Sequence, residues 1–156
     1  IYSLKNKNSK MQFGSDFIIG YPGESDKDFE ETCKLMEDVK FIISYSYIFS
    51  PRPGTPAGEF KTIDDTTAKE RLFHFQKLSD KIRFNYKKKL VNSAVNTLFE
   101  NKVGKNEYFG RDEHLNPVVV SYAENIIGQE KKVLINKFSK QTIYGEIVKN
   151  NSHLAA

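Results

Sequence analysis

Ser15-Asp16-Phe17-Ile18-Ile19-Gly20-Tyr21-Pro22-Gly23-Glu24-Ser25 is the stretch whose reading decides the fold of this chain. Phe17-Ile18-Ile19 predicts a short, mostly buried strand inside an organised segment running from Phe13 to Gly20. A turn follows in Tyr21-Pro22-Gly23-Glu24. Gly20 and Gly23 permit dihedrals that other residues resist, and Pro22 stops the strand from continuing. Ser25 suits a helix N-cap, with Asp28 three residues on and Asp26 and Glu30 in the first turn, where the helix dipole favours anions. Phe29, Cys33 (or Thr32), Met36 and Val39 then recur at helical spacing and give the helix an apolar face. The run from Phe41 to Phe49 is rich in β-branched and aromatic residues and predicts a second strand. Strand, capped helix and strand make a βαβ unit, whose crossover implies parallel pairing.

Beyond the second strand lies Ser50-Pro51-Arg52-Pro53-Gly54-Thr55-Pro56-Ala57-Gly58, with three prolines and two glycines in nine residues. It predicts a stiff loop at the C-terminal end of a parallel strand, the end that carries ligand sites in parallel α/β architectures. The glycine-rich turn after the first strand leaves from the same side. Two irregular loops therefore converge on one face, with Glu24 and Arg52 as their charged residues.

Residues 64–90 predict one long helix. Asp64, Asp65 or Thr66 caps it, and Ala68, Leu72, Phe75, Leu78, Ile82 and Tyr86 follow at spacings of three or four. After Leu90 the pattern changes to short strands at 94–100, 107–111, 117–122, 132–138 and 142–148, separated by turn-formers. Five short strands predict a small closed barrel of the OB type. The expected class is α/β followed by all-β. The organisation is an unpatterned segment over 1–12, α/β over 13–63, a connecting helix over 64–90, a barrel over 91–149 and a tail over 150–156.

The whole chain has 156 residues, a formal net charge of +4 and 28% charged residues, an ordinary globular composition. A complete (β/α)8 barrel needs about 200 residues or more, so any barrel signature here comes from part of one. A lone Cys33 excludes an internal disulfide and a three-cysteine iron–sulfur site, and it reads as a small buried hydrophobe. No apolar run approaches the ~18 residues of a membrane span, so the expected compartment is the cytoplasm. The start at Ile1 rather than Met suggests a fragment or an unusual start site.

The positive charge is unevenly placed. Residues 61–90 hold nine Lys+Arg against four Asp+Glu, and the rest of the chain is close to balance. The run Lys87-Lys88-Lys89 reads either as a solvated helix end or as a contact to a phosphate backbone. In the barrel, Lys102, Lys105, Arg111, Lys137 and Lys140 fall on or near turns, with Tyr108, Phe109 and Tyr144 among them. Cations interleaved with aromatics are the footprint expected of RNA contact through phosphates and stacking. His74, His114 and His153 are isolated and read as surface or packing residues.

The segment 15–25, with Asp28-Phe29 and then Tyr45-Ser46-Tyr47-Ile48-Phe49-Ser50-Pro51-Arg52-Pro53-Gly54-Thr55-Pro56-Ala57, closely resembles the radical-SAM methylthiotransferases. Among them it is most similar to the tRNA-2-methylthio-N6-dimethylallyladenosine synthases, and the run Ser-Pro-Arg-Pro-Gly-Thr-Pro-Ala is the discriminating piece. The resemblance extends through Arg71-Leu72 and Gln76. In the last strands, Gly110-Arg111, Ile127-Gly128-Gln129 and Tyr144-Gly145-Glu146 look like the family's TRAM domain.

The resemblance implies the C-terminal part of a radical-SAM partial (β/α) barrel followed by a TRAM barrel that binds tRNA. It places Gly20, Pro22, Gly23, Glu24 and Arg52 near S-adenosylmethionine, and Lys102, Lys105, Tyr108, Arg111, Lys137, Lys140 and Tyr144 near tRNA. The looser family pattern GxIxGxxE would put its acid at Gly23, whereas the acid here is Glu24. Family members hold two [4Fe–4S] clusters on two sets of three cysteines, and neither set is here. No catalytic or metal-binding residue is therefore expected in this chain, and no cofactor is expected on it alone. The expected partners are tRNA and a separately encoded N-terminal half, with no membrane. The function implied is that of the C-terminal portion of a tRNA methylthiotransferase, inactive alone. A residual RNA-binding module and one half of a split enzyme stand beside it as alternatives.

Overall fold

Helix, strand, helix, strand and a long helix precede five strands in the computed structural model, which describes residues 1–148. The predicted tail over 150–156 and His153 lie outside the described residues. Two compact units divide the chain between Phe84 and Asn85.

In the first unit, β1 (Gly14–Ile19) and β2 (Ile43–Ile48) pair in parallel, in register from Gly14↔Ile43 to Ile19↔Ile48. Between them runs α2 (Asp26–Val39), started by a full capping box. Ser25 Oγ accepts from the Asp28 amide at 3.2 Å, and Asp28 Oδ2 accepts from the Ser25 amide at 2.9 Å. Those bonds from the Ser25 side chain and backbone hold the Asp28 carboxyl below its ordinary range. The unit closes on Phe17, Ile19, Met36, Val39, Phe41 and Phe75, the last contributed by α3 (Asp65–Leu90). Two parallel strands and their crossover helix establish a βαβ unit. A single pair of strands does not define a barrel.

A short helix, α1 (Tyr2–Lys7), occupies the stretch expected to be unpatterned. It buries no residue, so no apolar periodicity marks it. It is tied down instead by Lys5 Nζ, which donates to the Val39 carbonyl at 2.8 Å, at the end of α2.

The second unit is a closed five-stranded barrel in the order β3-β4-β5-β7-β6. Its strands are β3 (Ala94–Lys102), β4 (Glu107–Asp112), β5 (Pro117–Ser121), β6 (Glu130–Phe138) and β7 (Ile143–Ile147). All neighbours are antiparallel except β5 and β7. This closed mixed barrel is compatible with the OB type expected from the sequence. Val95, Phe99, Tyr108, Val118, Val120, Ile126, Val133, Ile135 and Ile143 fill it. At Gly145 an added Cβ would lie 2.2 Å from the Leu134 carbonyl oxygen, so only glycine lets these strands approach so closely.

The end of α3 belongs to this unit. Lys87 is 2% exposed, and its Nζ donates to the Lys140 carbonyl at 2.8 Å. It is therefore a buried anchor, which corrects both readings of the lysine run at this position. Tyr86 lies against His114, with its hydroxyl 3.2 Å from Nδ1.

Candidate functional site

Because β1 and β2 are parallel and in register, the loops that follow them leave the same edge of the sheet. The Phe49 amide donates to the Ile19 carbonyl at 2.8 Å, and the Tyr21 and Phe49 rings meet edge to face at 5.1 Å. The convergence expected of the two loops therefore exists at their roots.

The turn after β1 is braced from within. Gly20 and Gly23 adopt φ of +75° and +84°, and the Glu24 amide closes the turn on the Tyr21 carbonyl at 2.9 Å. The Glu24 carboxylate is fully engaged. Oε2 accepts from the Gly20 amide at 2.9 Å and Oε1 from Arg71 Nη1 at 2.7 Å. Arg71 Nη1 also reaches the Glu24 carbonyl at 3.0 Å, and Nη2 reaches Asp26 Oδ1 at 2.5 Å. Desolvation works against the Arg71 charge, but the hydrogen bonds to Asp26 and Glu24 outweigh it and raise its pKa above the ordinary value. The Arg71 and Glu24 side chains are 10% and 9% exposed. Sequence reasoning noted Arg71 only as part of a resemblance. Its spacing from Ala68 and Phe75 on the buried face of α3 was the available signal.

Pro22 is half-buried and Gly23 exposed in the same turn. Arg52 is exposed in its proline-rich loop, where its carbonyl accepts from Thr55 Oγ1 at 2.8 Å. Among the described residues its guanidinium has no ion-pair partner. A groove between α2 and α3 includes Cys33, whose thiol burial pushes up, with nearby Glu37 adding to the effect.

The sheet has a second face. Phe17 and Ile19 point into the core, so Asp16 and Ile18 point away from it. Across the pair, Asp16 is opposite Tyr45 and Ile18 opposite Tyr47. Ile18, Tyr45 and Tyr47 are 52%, 58% and 55% exposed. Sequence reasoning left these four unassigned.

On the barrel, the expected RNA-facing residues divide. Lys102 and Lys105 lie at the β3–β4 hairpin, while Lys140 lies in the β6–β7 turn at the opposite end of the strands. Tyr108 is corrected: it is 3% exposed and packs in the core, so its ring offers no face for stacking. Its neighbour Phe109 points outward instead. Register places Asn101, Phe109, Val119, Tyr144 and Lys137 in one row across all five strands. Arg111 Cζ stands 5.4 Å from the Phe109 ring centroid, and Lys137 Nζ 5.2 Å from that of Tyr144. Arg111 also pairs with Glu100 at 3.3 Å. The row is therefore two half-exposed rings, each with a cation beside it.

No family model matches the chain. Curated relatives do. A tRNA-2-methylthio-N(6)-dimethylallyladenosine synthase of Pelagibacter ubique (strain HTCC1062) is 38% identical over 154 residues, covering 98% of this chain and 34% of its own length. That of Vibrio vulnificus (strain CMCP6) is 37% identical over 157 residues, 99% of this chain and 33% of its own. That of Wolbachia sp. subsp. Brugia malayi (strain TRS) is 40% identical over 128 residues, 80% of this chain and 29% of its own. Over nearly its whole length the chain is similar to the C-terminal part of these synthases. It spans 33–34% of the length of the first two relatives. The synthases take their name from a methylthiolated dimethylallyladenosine in tRNA. Among the described residues, no helix is long and apolar enough to cross a membrane.

Proposed function

We propose that the chain is the RNA-gripping and substrate-side part of a tRNA methylthiotransferase acting at N6-dimethylallyladenosine near the anticodon. The observation that carries this reading is the row Phe109–Val119–Tyr144–Lys137, with Arg111 beside it. Ring faces next to cations on a closed barrel are what stacking and phosphate contact to RNA require. The similarity to synthases named for a modified adenosine of tRNA supports it.

The family's clusters and S-adenosylmethionine, when bound, supply radical chemistry. A cluster needs several thiolates, and this chain has one cysteine, with its thiol pushed up by burial. Among the described residues no group of three His, Cys, Asp or Glu could hold a metal. The cluster does not fit these residues, and no step here runs through it. S-adenosylmethionine is a different matter. The Gly20, Pro22, Gly23 and Glu24 turn shapes the sheet edge, and Arg52 gives that edge a guanidinium able to pair with a carboxylate. A polypeptide carrying the cluster cysteines, continuous with this one or separate, would complete the β1–β2 sheet as part of a radical-SAM partial barrel. The open edges of a two-stranded sheet favour such completion.

Filter binding of tRNA to the purified chain tests the reading. Affinity falls steeply between 50 and 200 mM salt if cations contact phosphates. Replacing both Phe109 and Tyr144 by alanine weakens binding about tenfold or more, at about 1–3 kcal/mol per stacked base. Binding that ignores salt, or a double variant that binds like the parent, overturns it.

A further inference from the structure

Six aromatic residues follow Leu90, and four of them serve the interior of the barrel. Phe99 and Tyr108 lie in its core, and Tyr122 and Phe138 pack against it. Phe109 and Tyr144 do neither. They stand on the outer surface in one row, on β4 and β7, with Val119 of β5 between them. Each has its own cation, Arg111 for Phe109 and Lys137 for Tyr144. The barrel closes on itself, so no further strand is called for over that row. The fold has no need of two ring–cation pairs at matched positions, whereas a ligand does.

Their spacing says which form of RNA they suit. Neighbouring strands lie about 4.8 Å apart, so the two rings stand about 10 Å apart across the row. Successive bases of a stacked double helix advance only about 3.4 Å, and pairing keeps their faces inside the stack. Two rings so far apart, each needing an open base face, fit a strand that is unpaired and splayed. We propose that the barrel reads strand state: it holds unpaired RNA with one base on Phe109 and another on Tyr144, and discriminates against paired RNA. This deepens the RNA-gripping reading above, and rests on it, by naming the form of RNA gripped. Every base has a π face, so the choice made here is between unpaired and paired strands and not among sequences. The two cations are unequal. Arg111 shares its charge with Glu100 at 3.3 Å, whereas Lys137 has no ion-pair partner among the described residues. Lys137 is therefore the stronger phosphate contact of the two.

Amide chemical shifts of the labelled chain test this during titration with a short unstructured RNA and with the blunt duplex of that strand and its complement. The unpaired strand should perturb Phe109, Val119 and Tyr144 and bind about tenfold or more tightly than the duplex at the same salt. Its base protons should move upfield, as ring faces over them require. Phe109→Leu and Tyr144→Leu keep an apolar side chain on a surface the core does not use, so the barrel still folds. Each should weaken the unpaired strand about fivefold or more and leave the duplex unchanged. Lys137→Gln should weaken the unpaired strand more than Arg111→Gln does. Duplex affinity equal to that of the unpaired strand refutes the proposal. So do leucine variants that bind like the parent, perturbation away from the row, or none at millimolar RNA. Binding of tRNA on the row with equal affinity for strand and duplex overturns strand selection and leaves the tRNA reading intact. Strand selection on the row in a chain that does not bind tRNA supports this proposal and overturns that reading.

Discussion

Thr97 sits at the centre of the barrel, fully buried, and among the described residues its Oγ1 is the one buried side-chain oxygen or nitrogen without a hydrogen-bond partner. An unpaired buried hydroxyl costs about 1–3 kcal/mol by protein mutational measures. Thr97→Val keeps the β-branched shape that the strand favours and removes that cost. It should raise the melting temperature of the barrel by a few degrees, read by circular dichroism. A fall would mean that the hydroxyl does have a partner. The same parity shows what was legible one residue at a time. Tyr108 and Phe109 are adjacent aromatics, and residue type alone does not say which faces inward. Arg111, two residues beyond Phe109 on the same side, carries a charge that must reach solvent. Strand alternation from it turns Phe109 outward and Tyr108 in, as the structure has them.

Among the elements, the capped helix α2 and the long α3 were legible because an N-cap and a buried stripe both leave periodic marks. The brace between them was not. Arg71 lies 47 residues from Glu24 and 45 from Asp26, and nothing local announces that one arginine closes the turn of a distant strand. Removing one partner of a buried pair strands the other, so Arg71→Met should cost about 3 kcal/mol in urea unfolding of the first unit. Asp26 is 92% exposed on its side-chain surface, and Asp26→Asn should therefore cost little. Equal losses from the two substitutions would show that the clamp on Glu24 is not the part that matters. The short α1 was illegible for the opposite reason, since a helix with no buried residue has no pattern to read.

At the scale of the whole molecule, the order of α/β then all-β was readable, whereas the division within α3 was not. A continuous amphipathic stripe gives no sign that its last residues serve a different core. Tyr86 marks that change. Burial, with the Asp112 and then the Glu113 charges adding to it, pushes its phenol up to about 12. The ordinary value for a tyrosine phenol is about 10. A raised folded value means that the barrel keeps this contribution in full below pH ~10 and loses it as pH climbs towards 12. Melting temperatures of the barrel measured across that range should fall, and more gently in Tyr86→Phe. Parallel slopes in both proteins would assign the alkaline loss to other groups.

The closed barrel has no unpaired strand, and the two-stranded sheet has little else. A ribosome makes the sheet first. The open edges and the Ile18–Tyr45–Tyr47 face therefore exist before any strand of the barrel has been made. Until those strands follow, the edges of the sheet are the part of this stretch most open to pairing with a foreign strand.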